Sequence, residues 1–541
     1  MRLVKNTYTR FLIATAFASL SLVGCVSPKS SSGLNPDRSN GRNVVLITVD
    51  GLGQGDISVN GAEYATPYID QLASNGLTLN RFYTASQASG TLAGLMTARD
   101  PHELGISYAE FYPWSQGALA PSEYLLSNSL QDAGYETALI GKWHLGSHTQ
   151  RHHPNSRGFD YFFGHLNGQV DYLEHTAARG KDIQENGVSI GDLHDGVFGP
   201  ELISSAAVNW LSTIRNPGTR NPGSTGQPTP FFMHVAFKAP RAPLQAPDAL
   251  IQQVRNDNPG LSGERLIYAA MVTAVDNGVG DIVAALQQQG VADNTLIVFM
   301  STGGGDLANG ATSGSLRGGK LSAYEGGVRN IAIMAGPGLP KGASTEQVLS
   351  VVDLYPTINA ATGTANGAPM SKRQFQDGVS YWENLVNATV TPHAEIYIGA
   401  EGENGIGNDF NFAIIRGDYK VVRQVSRSYE GISIRNELYN LATDPAENID
   451  LSTSNSELLN TLLSGFVDWR SQHIWTGNHL ELAPLPGWVA PTDWALRMQQ
   501  RESTVSPESG DNVFGFISGP SLRRLDNRLY QKTGVGTIVY Q

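Results

Sequence analysis

Four short apolar runs each end in residues able to do chemistry. Val44 to Val49 (VVLITV) leads into Asp50, and Thr137 to Ile140 (TALI) leads into Gly141-Lys142-Trp143-His144. Phe231 to Phe237 (FFMHVAF) leads into Lys238-Ala239-Pro240-Arg241, and Thr295 to Met300 (TLIVFM) leads into Ser301-Thr302-Gly303-Gly304. In open α/β sheets binding residues gather outside the carboxyl ends of the strands, so these four ends are the expected site. Lysine, arginine and histidine dominate there, and residues of those types together can hold an anion. The chain carries a formal charge of −12, so an anionic ligand has to meet a local basic pocket of this kind. The same acidic balance argues against nucleic acid as a partner.

The elements that position these residues are β-branched runs alternating with helical stretches, the pattern of an α/β sheet with buried parallel strands. From about residue 376 the texture changes to well-spaced short strands and one amphipathic helix, in which Leu458, Leu459, Leu462, Leu463, Phe466 and Trp469 recur at helical spacing. Residues 216–230 (NPGTRNPGSTGQPTP) read as an exposed Gly/Pro loop. A length of 541 residues is too great for one ordinary core, so two domains are expected.

Before them stands a leader. Arg2, Lys5 and Arg10 precede the apolar run from Phe11 to Gly24, which ends at Cys25, the single cysteine. That is the layout of a secretory signal peptide over residues 1–25, too short for a membrane span, and nothing later reads as a second one. Leu22-Val23-Gly24-Cys25 resembles a bacterial lipobox, which implies lipid on Cys25 and a lipoprotein of a bacterial envelope, in the outer membrane or periplasm. Residues 26–41 read as a flexible tether. Removing the three basic leader residues takes the charge from −12 to −15.

Further segments carry a family resemblance. They include Thr66-Pro67-Tyr68-Ile69-Asp70, Phe82-Tyr83, Gly141 to Gly146 (GKWHLG), Leu316 to Lys320 (LRGGK) with Tyr324 to Arg329 (YEGGVR), Asp353 to Thr357 (DLYPT), Asp377 to Ser380 (DGVS), and Glu437 to Leu441 (ELYNL) before Asp444-Pro445. In this order, across about 400 residues, they resemble the sulfatases of the alkaline-phosphatase-like superfamily. The resemblance implies a large central mixed, mostly parallel sheet flanked by helices over 42–375, then a smaller C-terminal α+β domain with an antiparallel sheet over 376–541. It also implies a formylglycine nucleophile made from cysteine or serine, a calcium ion held by two acids after the first strand and an Asp-Asn pair after a later one, and lysines and histidines that grip sulfate and handle protons.

The chain departs from that pattern at the positions that matter most. The nucleophile position lies six residues after Phe82 and eleven before Arg99, and it is Ala88. The activating-arginine position is Leu92, and a histidine position is Arg241. Of the metal positions Asp50 remains, while the others are Gly51, Thr302 and Gly303. One carboxylate is not expected to hold calcium, and Asp306 nearby reads as a solvated acid. Calcium and formylglycine are both expected absent. The anion-gripping residues Lys142, His144 and Lys320 persist, joined by Arg241. With the lost charges counted, the pocket is expected to stay cationic, although Lys142 or Lys320 pairing with Asp50 and a structural His144 remain alternatives.

These readings converge on a pseudosulfatase, a surface lipoprotein that binds a sulfated ligand, a polysaccharide above all, without cleaving it. Three alternatives stay open. One is an active sulfuric ester hydrolase of the family. Another is a metal-independent hydrolase using the hydroxyl of Ser89 or Thr91, for which the sequence offers no evident base. The last is a partner-binding protein whose contact surface is the tryptophan-bearing tail 480–541.

Overall fold

A computed structural model of the chain describes residues 41–106, 110–115, 117–214, 229–364, 376–401, 409–428, 430–472, 484 and 486–497, all within one unit spanning 38–541. The leader, Cys25, nearly all of the tether, most of the 216–230 loop and the boundary expected at 375/376 lie outside the described residues.

The strands in chain order are β1 (Asn43–Asp50), β2 (Leu77–Tyr83), β3 (Glu136–Lys142), β4 (Tyr161–His165), β5 (Thr176–Ala177), β6 (Gly180–Lys181), β7 (Gln184–Glu185), β8 (Val188–Ser189), β9 (Phe231–Pro240), β10 (Thr295–Ser301), β11 (Ala332–Ala335) and β12 (Ala343–Ser350). A second group follows as β13 (Ile396–Glu401), β14 (Asp409–Arg416), β15 (Tyr419–Ser428) and β16 (Gly431–Asn440). Ten of the first twelve form one sheet in the order β12-β2-β11-β10-β1-β9-β3-β4-β7-β8, and β5 pairs with β6 apart from it. β1, β3, β4, β9 and β10 run parallel to their neighbours within that block, and β11 is antiparallel to both β10 and β2. The last four strands make an antiparallel sheet in chain order. The expected α/β architecture with a small antiparallel sheet is the one observed.

The four apolar runs singled out above are β10, β1, β9 and β3, side by side at the centre of the large sheet. Side chains alternate across a strand, so Val45, Ile47 and Val49 enter one core while Val44 and Leu46 enter the other. Both faces are covered, which is why these runs are apolar throughout. Complete burial of an aliphatic side chain of this size contributes about 1.5–3 kcal/mol relative to exposure. The helices Gly199–Ile214 and Gly263–Gln288 cover the first face, and Ala88–Thr97, Leu126–Asp132 and Leu354–Thr362 cover the second. The helix Gly263–Gln288 is long and apolar enough to cross a membrane, contrary to the sequence reading, but most of that apolar stretch is buried in the core.

The amphipathic helix expected near the C-terminus is two helices, Ser456–Ser464 and Phe466–Ser471, meeting at Gly465. A Cβ at Gly465 would collide with the Tyr397 hydroxyl, so this junction admits only glycine. Trp494, assigned by sequence to a candidate contact surface, is buried, and its Nε1–H donates to the Ala177 carbonyl at 3.1 Å. That residue therefore belongs to the core and not to a docking face.

Candidate functional site

Parallel register brings the four strand ends to one edge. Val49 lies beside Ser301, Asp50 beside Pro240, and Gly141 beside Ala236. The register with β9 shifts after Val49, and Asp50 meets the end of β3. There Lys142 Nζ donates to Asp50 Oδ2 at 2.5 Å, and Arg241 Nη1 donates to the same oxygen at 3.4 Å. The pairing of Lys142 with Asp50, open as an alternative in the sequence, is the arrangement found.

The sequence reading missed Glu110. This residue comes from an irregular segment between helices with no periodicity to mark it, yet its carboxylate is buried among the strand ends. Arg241 Nη2 donates to Glu110 Oε2, and Lys320 Nζ stands 3.6 Å from Oε1. Glu110 amends the sequence-based charge count, since Lys142, Arg241 and Lys320 now face two carboxylates, Asp50 and Glu110. One positive charge remains in surplus. Lys238, a strand-end residue given no role by the sequence reading, lies alongside, with Nζ 3.7 Å above the Tyr172 ring and donating to the Ala242 carbonyl at 3.2 Å.

The electrostatics follow from burial and charge. Burial alone would raise the Asp50 carboxyl, but Lys142, then Arg241 and Lys320, outweigh it and hold Asp50 well below the usual range. Glu110 is likewise held low, its burial overcome by Arg241 and Lys320. Burial pulls Lys142 down against the opposing attraction of Asp50, and it pulls Lys238 well down with help from Arg241.

Ala88 opens the helix Ala88–Thr97 with a methyl group, and Leu92 one turn on is buried in the apolar core. Neither side chain offers a polar atom to this edge. Ser89 differs, for its Oγ lies 3.2 Å from His144 Nδ1. His144 Nε2 lies 3.0 Å from the Phe111 carbonyl, which can only accept, so the proton sits on Nε2 and Nδ1 accepts from Ser89. Burial and then Lys142 keep the imidazole neutral, with its proton affinity well below the ordinary histidine value. The sequence had offered no partner for the Ser89 hydroxyl, and His144 Nδ1 is a hydrogen-bond acceptor for it. Thr91 is turned away, donating to the Ala85 carbonyl at 3.2 Å, and Ser86 donates to Gly399 of β13 at 3.3 Å.

The calcium expected of the resemblance can be tested on the donors present. Asp50 is already engaged by two cationic side chains. Gly51, at φ +79°, has no side chain to offer. Thr302 offers a hydroxyl and Gly303 no side chain, while Asp306 is bonded to Asn309 Nδ2 at 2.8 Å. Among the described residues no group of three acids, histidines or cysteines is placed to hold a metal ion. This donor set does not fit calcium, which asks for six to eight oxygens with several carboxylates among them.

A model of the family described as Sulfatase matches residues 42–364. The chain belongs to the sulfatase family. This sulfatase-family chain is 29% identical over 360 residues to arylsulfatase J of Mus musculus, across 65% of its own length. It spans only 57% of that relative's length. It is 25% identical over 491 residues to N-acetylgalactosamine-6-sulfatase of Canis lupus familiaris, covering 84% of this chain and 87% of the relative. Among solved structures it is similar to Ps i-CgsB in complex with k-i-k-neocarrahexaose, with a TM-score of 0.70 and 29% identity over 86% of this chain and 98% of that one. The expected family and fold are thus both found, and the edge that carries Asp50, Lys142, Arg241 and Lys320 falls within the matched residues.

Proposed function

We propose that this sulfatase-family chain binds a sulfated saccharide at the carboxyl edge of its large sheet and does not hydrolyse it. The observation that carries the reading is the pairing of Ala88 with the cationic edge. No nucleophile stands at residue 88, while Lys142, Arg241 and Lys320 outnumber Asp50 and Glu110 by one charge. A buried surplus of positive charge is stabilised by an anion that brings hydrogen-bond acceptors. The saccharide is supported by the company the chain keeps, a relative named for N-acetylgalactosamine-6-sulfate chemistry and a neighbour solved with a neocarrahexaose. The donor set supports a site that works without calcium and without formylglycine. The leader supports export and lipid attachment at Cys25 in a bacterial envelope, and Cys25→Ser should then free the protein from the membrane fraction.

The test is to titrate the purified protein with a panel of sulfated oligosaccharides, recording heat of binding and free sulfate in parallel, with and without calcium. Binding without release is expected, weakened at least about tenfold by Lys320→Ala through loss of a charge-assisted contact. Sulfate release that survives stringent purification would overturn the non-hydrolytic part. Affinity indifferent to Lys320→Ala would overturn the pocket.

One observation favours a second reading, the contact between Ser89 Oγ and His144 Nδ1. A hydroxyl beside a neutral, correctly protonated imidazole is the arrangement of an activated nucleophile. In this reading Ser89 Oγ bonds to the sulfur or phosphorus of an ester as its proton passes to Nδ1. The ester S–O or P–O bond breaks, and the departing alkoxide takes that proton; water then attacks the sulfur or phosphorus held on Ser89, passing a proton to Nδ1 that returns to Oγ as sulfate or phosphate leaves. Turnover of any ester should then vanish in Ser89→Ala and survive in Thr91→Ala; full turnover in Ser89→Ala would remove the reading.

A further inference from the structure

Two consecutive residues, Glu110 and Phe111, occupy the donors of three of the four residues assigned to ligand binding. The Glu110 carboxylate takes Arg241 and faces Lys320, and the Phe111 carbonyl takes the Nε2 proton of His144. An external anion in this pocket would need those same donors. The fit of the internal one is incomplete, because Glu110 Oε1 is buried without a hydrogen bond and lies 3.6 Å from the Lys320 ammonium. A buried acceptor left short of a donor is a weak point in the native state. A sulfate group presents three terminal oxygens where the carboxylate presents two, so it can satisfy Arg241 and Lys320 together.

We propose that Glu110 is the resident anion of the site and that an incoming sulfate group binds by displacing its carboxylate from Arg241 and Lys320. This rests on the reading of the edge as an anion pocket and adds what governs entry to it. Asp50 keeps Lys142 at 2.5 Å and the longer 3.4 Å bond from Arg241 Nη1, while the displacement frees Arg241 Nη2 and Lys320. Affinity for sulfate is therefore set by a competition inside the chain, and Glu110 is the residue that sets it. Ligands carrying a single weakly held anion are rejected, and those with further contacts outside the pocket are admitted.

The test uses the full chain, inorganic sulfate as probe and chloride at matched ionic strength as control. Equilibrium dialysis with labelled sulfate should show at least tenfold tighter uptake by Glu110→Gln than by the unaltered protein. The same variant should melt lower than the unaltered protein in chloride and recover in sulfate, because a ligand that binds only the folded state stabilises it. If Glu110→Gln does not fold, Glu110→Asp keeps the charge but shortens its reach, and it too should bind sulfate more tightly than the unaltered protein. Equal or weaker sulfate uptake in the variants, or an equal sulfate effect on all melting points, would overturn the proposal. The two readings separate cleanly. Saccharide binding that depends on Lys320 but gains nothing from Glu110→Gln overturns the resident anion alone, whereas saccharide binding indifferent to Lys320→Ala overturns the pocket itself.

Discussion

His144 is held by its neighbours on every side that matters. Its backbone sits at φ 55°, a region that non-glycine residues seldom enter unless the surroundings impose it. Its ring is fixed by Ser89 and the Phe111 carbonyl, and Gly168 packs against the ring so closely that a Cβ there would come within 2.5 Å of Nε2. Gly168→Ala should therefore push the imidazole off both partners and cost about 1–3 kcal/mol of stability by overpacking, read as a lower denaturation midpoint at unchanged slope. An unchanged midpoint would mean that the ring is not confined as described. At this scale the sequence revealed Asp50, Lys142 and Arg241, because each directly follows a strand whose hydrophobic pattern is plain. Glu110 and Gly168 were not legible, since each lies in irregular backbone and acquires its meaning from residues distant in sequence.

The small sheet is tied to the site by an ionic knot. Lys420 of β15, fully buried, reaches Glu325 at 2.8 Å and Glu447 at 3.0 Å, and the Glu325 backbone N–H donates to Glu447 at 2.6 Å. Glu325 begins the short helix Glu325–Val328, in the segment that also carries Lys320. Around the knot, Tyr83, Ala323, Tyr324 and Val328 share a core with Ile396, Ile398 and Tyr439 of the small sheet. Removing one member of a buried ion group leaves charge uncompensated, so Lys420→Ala should cost about 3–5 kcal/mol, measurable by denaturant unfolding. A loss below about 1 kcal/mol would show that the knot is not needed. Short strands were legible here as a change of texture from about residue 376, without their bounds. The need for glycine at the helix junction, Gly465, was not, because the Tyr397 hydroxyl that crowds it lies far away in sequence.

Across the whole molecule, buried histidines and buried carboxyls pull against each other in acid. Burial holds His165 and His234 down at about 3 and His152 at about 4, and it lowers His144, His153 and His175 as well. A histidine whose folded value is depressed is neutral in the folded chain and takes a proton only on unfolding. The stability it contributes is complete above its ordinary value near 6.5 and is lost as pH falls toward the folded value. Asp100, raised to about 7 by burial, and Asp182 and Asp276, raised to about 6, act in the opposite sense, for they hold protons that the unfolded chain releases. Asp56, Glu447 and His393 are raised as well and side with these aspartates, so removing one member of the opposing set by His234→Gln should make the melting temperature fall less, or rise more, between about pH 6.5 and pH 4 than in the unaltered protein. A melting temperature that rises over the same interval would mean that the carboxyls dominate. β10 ends at Ser301 and β11 starts at Ala332, and the Ser301 N–H donates to the Ile331 carbonyl at 3.0 Å, so everything between leaves and re-enters the sheet at one point. Residues 302–331 thus form one closed excursion that holds Lys320 and, a few residues on, Glu325, so whatever seats the small sheet through Lys420 also seats a cation of the site, and a cut in this loop should loosen both at once.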